Sequence, residues 1–190
     1  MLLIFLDTET TGLDPQKHRA LEIAYKIVDP FSGKTLNRFE SLVSQTPEVW
    51  AEADPASLAV NGFTWEETLE GISEKNVASE IINDFNRMAL GEKEGAFICQ
   101  NPTFDRSFFN QIVPVELQVH YGWPYHWLDL ASMFFALTLK RDPKNARCLK
   151  ESDLSKNAIA SSLGLPKEAS PHRAMQGVDH LLGCFQKLIL

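Results

Sequence analysis

The chain has 190 residues, 44% of them hydrophobic, and a formal net charge of −7. That length and composition predict one globular domain over residues 1–190, with a sizeable core, and no apolar stretch approaches a membrane span or carries the flanks of a signal peptide. The acidic balance excludes a broad basic face gripping duplex nucleic acid, but leaves room for an enzyme that holds a few nucleotides where bound metal supplies the positive charge.

Leu2 to Leu6 is a short apolar run that reads as a buried strand. Ala20 to Asp29 is β-rich, Pro30-Phe31-Ser32-Gly33 supplies turn chemistry, and Lys34 to Val43 reads as a returning strand, so the first third predicts an antiparallel meander. Pro47 to Phe63 is expected to be irregular with one short helix. Val77, Ile81, Ile82, Phe85, Met88 and Ala89 recur at helical spacing and predict a helix over Ser73 to Leu90. Gly95 to Cys99 reads as a short buried strand, Phe104 to Ile112 as a helix, and His126 to Asp129 as a strand running into a helix that reaches Leu139. The polar segment Arg141 to Asp153 reads as a surface loop. Leu154 to Leu163 is helical and stops at Gly164; after Ser170-Pro171 a last helix runs from His172 to Leu188. A meander followed by alternating helices and strands predicts a mixed sheet flanked by helices, an α/β fold. Cys99, Cys148 and Cys184 are scattered and odd in number, which suits thiols in a reducing compartment and a cytoplasmic location.

Asp7 and Glu9 follow the first apolar run, two apart, so on an extended backbone they share a face. Adjacent carboxylates at the edge of a core repel each other, and a hard divalent cation is the common reason to keep both ionised. Alone, the pair reads more readily as two solvated acids where a strand meets a loop, and the partners further along the chain reverse that. Asp105 lies just after the strand ending at Cys99, at a strand-to-helix junction where sites of open α/β sheets gather. His172 opens the last predicted helix.

In this order the motifs resemble the DEDDh 3′–5′ exonucleases of the DnaQ-like, RNase H-like superfamily. Asp7-Thr8-Glu9-Thr10-Thr11-Gly12-Leu13 looks like the first motif, Leu21-Glu22-Ile23-Ala24 like the second-strand segment, and Val60-Asn61-Gly62-Phe63-Thr64 like a His-Gly-Ile-Thr region with Asn for His. Asn101 to Asp105 resembles the second motif, and His172-x-Ala174 the start of the third. One departure stands out: the family carries an Asp five residues after that His, and here the position is Gly177. The nearest acid is Asp179, and two residues turn a helix by roughly 200°, so it should face away unless the helix is wound differently.

The resemblance implies an RNase H-like mixed sheet, antiparallel meander plus parallel strands, flanked by helices. It implies metal-dependent hydrolysis of phosphodiester bonds at 3′ ends of single-stranded or short-overhang DNA or RNA, with two divalent cations, Mg²⁺ or Mn²⁺. Asp7 would bridge both ions, Glu9 and the acid missing at 177 (with Asp179 as its stand-in) would hold the nucleophile-side ion, and Asp105 the leaving-group-side ion. His172 would be the general base, since imidazole suits proton transfer near neutral pH. Thr10, Gly12 and Leu13 would approach the terminal nucleotide, Asn101 would contact substrate, and Phe63 would either stack on a base or pack in the core. Asp129 reads as structural support. The aromatic Trp123, Tyr125 and Trp127 and the basic Lys140, Arg141, Lys144, Arg147 and Lys150 default to packing and to a solvated loop. A homodimer and a polymerase or repair partner are further implications. The alternative is a catalytically weak relative that binds 3′ ends or a protein, and Gly177 is its support.

Overall fold

The computed structural model describes residues 1–90 and 95–189. In chain order the elements are β1 (Leu2–Thr10), β2 (Ala20–Val28), β3 (Thr35–Leu42), the short helices α1 (Pro47–Ala51), α2 (Pro55–Asn61) and α3 (Trp65–Leu69), then α4 (Glu74–Arg87) and β4 (Gly95–Cys99). There follow α5 (Pro102–Ile112), α6 (Val115–His120), β5 (Trp127–Asp129), α7 (Leu130–Arg141), α8 (Pro143–Ala146), a 3₁₀ turn (Glu151–Leu154), α9 (Lys156–Ser162) and α10 (Ala174–Ile189). The five strands form one sheet in the order β3-β2-β1-β4-β5. β1 to β3 are the antiparallel meander, and β1, β4 and β5 run parallel. The expected mixed α/β sheet is therefore present.

Side-chain chemistry accounts for the layering. β1 and β2 are covered on both faces, so they are apolar almost throughout rather than alternating. Ile4, Leu6, Ile23, Tyr25 and Ile27 pack with α4 and α5. Leu3, Phe5, Ala24 and Val28 pack with α7, α9 and α10 on the other side. The edge strand β3 alternates instead, and its solvent face carries the Arg38–Glu40 ion pair at 2.9 Å. Beneath the sheet, buried Asp84 accepts hydrogen bonds from the Tyr25 hydroxyl at 2.9 Å and Asn37 Nδ2 at 2.7 Å, and pairs with Arg87. No helix among the described residues is long and apolar enough to cross a membrane.

Four differences from the sequence-based expectations stand out. β1 continues past the apolar run to Thr10, so Asp7 and Glu9 lie within the strand, on the shared face expected, and not where a strand meets a loop. Pairing with β2, register by register as far as Glu9–Glu22, extends it past the apolar run. Pro47 to Phe63 holds two short helices, each started by a side-chain cap, Thr46 for α1 and Asp54 for α2. The last helix begins at Ala174, two residues after His172, because Glu22 of β2 accepts from the Ala174 backbone N–H at 2.6 Å and caps it there. The segment Arg141–Asp153, expected as a loop, contains α8 and a 3₁₀ turn.

Candidate active site

The C-terminal ends of β1 and β4 open into a cleft of about 500 Å³. This is where open α/β sheets gather ligands, because strand ends and helix starts converge there. Strand parity decides which acid goes where. Asp7 and Glu9 share the β1 face of Leu3 and Phe5, toward α9 and α10. Thr8 points to the opposite face, where its hydroxyl donates to Asp105 Oδ1 of α5 at 2.9 Å. The cleft is thus built from both helical layers, with Asp105 from one and Lys156, Glu168 and His172 from the other.

The loop carrying His172 is fixed on both sides. Its backbone N–H donates to Val60 O at 3.1 Å, and Arg173 bonds Asn61 O and, at 3.0 Å, Glu67. Asn61, standing where the family motif has His, is buried; its Nδ2 donates to Thr10 O at 3.0 Å and locks α2 to the end of β1.

Burial raises the Glu9 carboxyl to about 8, with the Asp7 charge adding to it. Burial likewise holds Asp105 well above the usual carboxylate range, with Asp7 contributing and the Thr8 hydrogen bond opposing. Asp7 is raised by burial, while Lys156 works against the shift and Glu168 reinforces it. Burial favours the neutral amine of Lys156, but Asp7 and Glu168 outweigh it and keep the ammonium charged. Acids crowded together and desolvated in this way are poised to bind a cation.

The cation nearest them is Lys156 itself. Its Nζ lies 3.3 Å from Asp7 Oδ1 and 2.9 Å from Glu168 Oε1, with the lysine side chain 12% and the glutamate side chain 3% exposed. Among the described residues no three acidic, histidine or cysteine side chains converge as a metal cage, and Asp7 is turned toward Lys156. The donor chemistry of Asp7, Glu9 and Asp105, all buried or nearly so and all oxygen, fits a hard divalent ion. A second such ion has no acid at 177 to hold it.

Of the residues singled out from sequence, Asp7, Glu9, Thr10, Leu13, Asp105 and His172 line this cleft. Thr10 is buried, its hydroxyl donating to Gly12 O at 2.8 Å. Leu13 stands at the mouth, 71% exposed. Asp179 does not reach the cleft: it is 54% exposed on the opposite side of α10 and paired with Lys26 of β2, as the helical rotation from 177 requires. Phe63 is 5% exposed under the Arg173 guanidinium, 4.0 Å from its ring centroid, so it packs and offers no face to a base. Gly12 is buried against the His18 ring, where a Cβ would come within 2.4 Å, and does not line the cleft. Asn101 is exposed outside it, its N–H donating to Asp129 at 3.1 Å. Asp129, which also caps α7, has the supporting role expected. Trp123 is in the core, Trp127 stacks on Phe97, and the basic residues from Lys140 to Lys150 are exposed. Sequence reasoning missed Lys156 and Glu168. The available signal was indirect: an acid lost at 177 invites a search for another nearby, and Glu168 precedes His172 by four residues.

The fold agrees with the comparisons to known proteins. The exonuclease family profile of the RNase T type matches residues 4–179, and the chain belongs to that family, with the mixed sheet of the RNase H-like exonuclease fold. Ribonuclease T of Marinobacter nauticus is 28% identical over 138 residues, covering 70% of this chain and 62% of that protein. The chain therefore spans less than two thirds of the curated relative it matches. Exonuclease I of E. coli, solved with a dT13 oligonucleotide, superposes with a TM-score of 0.77 at 18% identity over 99% of this chain and 40% of the other. The nuclease domain of 3′hExo, a DEDDh family member bound to rAMP, gives 0.73 at 14% identity over 99% and 91%. Family members generally use divalent metal ions.

Proposed function

We propose that the chain is a metal-dependent exonuclease that removes nucleotides from the 3′ end of single-stranded DNA or RNA. The observation that carries this reading is the convergence of Asp7, Glu9, Asp105 and His172 on one open cleft whose rim is apolar. Asp7, Glu9 and Asp105 would hold a divalent cation, which when bound polarises phosphate and water. His172, held on a fixed loop beside Val60, takes a proton from the attacking water. Leu13, Val60 and Phe104 at the rim offer apolar contact to unstacked bases without reading their sequence. The net charge of −7 suits a short single strand gripped locally better than a duplex gripped broadly. Lys156 seated on Asp7 favours the other reading, a weakly active relative that binds 3′ ends.

The test is digestion of 5′-labelled single-stranded DNA and RNA with Mn²⁺, with EDTA and Asp105→Asn as controls. A ladder that shortens from the 3′ end, and vanishes in both controls, is expected. Binding without shortening of either polymer would replace the nuclease reading with the binding one.

A further inference from the structure

This inference rests on the nuclease reading and concerns how its cation site is filled. The space left by the acid missing at 177 is occupied. A Cβ built on Gly177 would lie 1.9 Å from Asp7 Oδ2 and 3.0 Å from Glu168 Oε1. The Glu168 carboxylate therefore sits beside the point from which an acid at 177 would grow. It arrives from the loop before α10, and its backbone N–H donates to Asn157 Oδ1 at 2.7 Å. The next residue back on α9, Lys156, grips the Glu168 carboxylate. Adjacent residues of α9 thus fix both the backbone and the side chain of Glu168.

Lys156 completes the exchange. Its ammonium touches Oδ1 of Asp7, the residue expected to bridge two ions, and also holds Glu168, while the other Asp7 oxygen, Oδ2, faces the Cβ position of Gly177. A divalent ion in contact with the same Asp7 oxygen would meet that ammonium at close range in a desolvated site, where like charges repel strongly. We propose that Lys156 is a built-in cation that takes the place of the nucleophile-side metal ion, with Glu168 replacing the carboxylate absent at 177, so that the chain carries one divalent-cation site instead of two. A salt bridge with a merely structural role would instead open when metal arrives, Lys156 swinging out and two ions entering.

Mn²⁺ titration of the intact chain, followed by calorimetry and by the EPR signal of free Mn²⁺, separates these. One ion per chain is expected for the wild type and two for Lys156→Met, which keeps the stem and removes the charge. Lys156→Gln provides the same readout should the methionine variant not fold. Mn²⁺ should also raise the melting temperature of either variant more than that of the wild type, because Asp7 and Glu168 have lost their counter-charge. Two ions in the wild type, no ion in the wild type, or one ion in both proteins would each overturn the proposal. A wild type that binds one ion yet degrades neither polymer would sink the nuclease reading alone; one that degrades them and binds two would sink this inference alone.

Discussion

Gly177 and Gly183 lie in the same helix, α10, and differ in what surrounds them. An alanine in a helix interior is ordinarily more stable than glycine by about 1 kcal/mol, because the glycine backbone loses more freedom on folding. At 183 nothing lies within 4 Å of the Cβ position, so Gly183→Ala should show that gain undiminished. At 177 the added carbon would overlap Asp7, 1.9 Å from Oδ2 and 2.6 Å from Cγ. Asp7 must rotate, and rotation breaks its contact with Lys156. Overpacking of this kind costs about 1–3 kcal/mol. Gly177→Ala should therefore be less stable than Gly183→Ala by about 1–3 kcal/mol, the two helix-propensity gains cancelling in the comparison. Urea denaturation read by circular dichroism measures both, and in a domain of this size each kcal/mol moves the melting temperature by about 2–4 °C. Equal stabilisation by the two substitutions would refute the close approach of Asp7 to the helix. The same clash bears on restoring an acid at 177: Asp7 and Lys156 would have to rearrange before the new carboxylate could help.

The pH dependence of the metal-free chain should run opposite to that of a protein with salt-bridged surface acids. Glu9 is raised from the ordinary 4.5 to about 8, and Asp7 and Asp105 are raised too, so the folded state holds protons that the unfolded state has released. Stability should fall as pH rises through the window from 4.5 to about 8, by about 1.4 kcal/mol per pH unit for the Glu9 proton, with Asp7 and Asp105 acting in the same direction. Thermal melts in EDTA across that range check this, and a stability that rose with pH would count against the buried acid cluster; Mn²⁺ should restore most at the alkaline end. Leu13→Ala should raise the KM for a single-stranded substrate about fivefold, the loss of about 1 kcal/mol of apolar contact, with an unchanged melting temperature because the side chain is exposed. An unchanged KM would remove Leu13 from the substrate path.

Much of the fold was legible because burial leaves a strong local imprint. The continuous apolar runs of β1, β2 and β4 and the helical spacing of Val77, Ile81 and Phe85 appear in the structure as expected. Boundaries set by distant groups were not legible. The extension of β1 to Thr10 depends on pairing with β2, and the start of α10 at Ala174 on a cap from Glu22, 152 positions away. Phe63 illustrates the same limit. Its sequence neighbours suit stacking and core packing alike, and only the fold, which brings Arg173 over its ring, decides for packing.

For the site, sequence alone determined which side chains could share a face. Alternation along β1 puts Asp7 with Glu9, and helical rotation puts Asp179 opposite Gly177, whatever packs around them. It could not determine which charge would fill the gap at 177. Lys156 lies 149 positions from Asp7, and Glu168 is on a loop whose course Asn157 fixes. Contacts between segments so far apart carry no local signature, because chain connectivity and periodicity act over a few residues while electrostatic pairing acts through space. Tertiary structure decided that a lysine, held between Asp7 and Glu168, is the cation already in place.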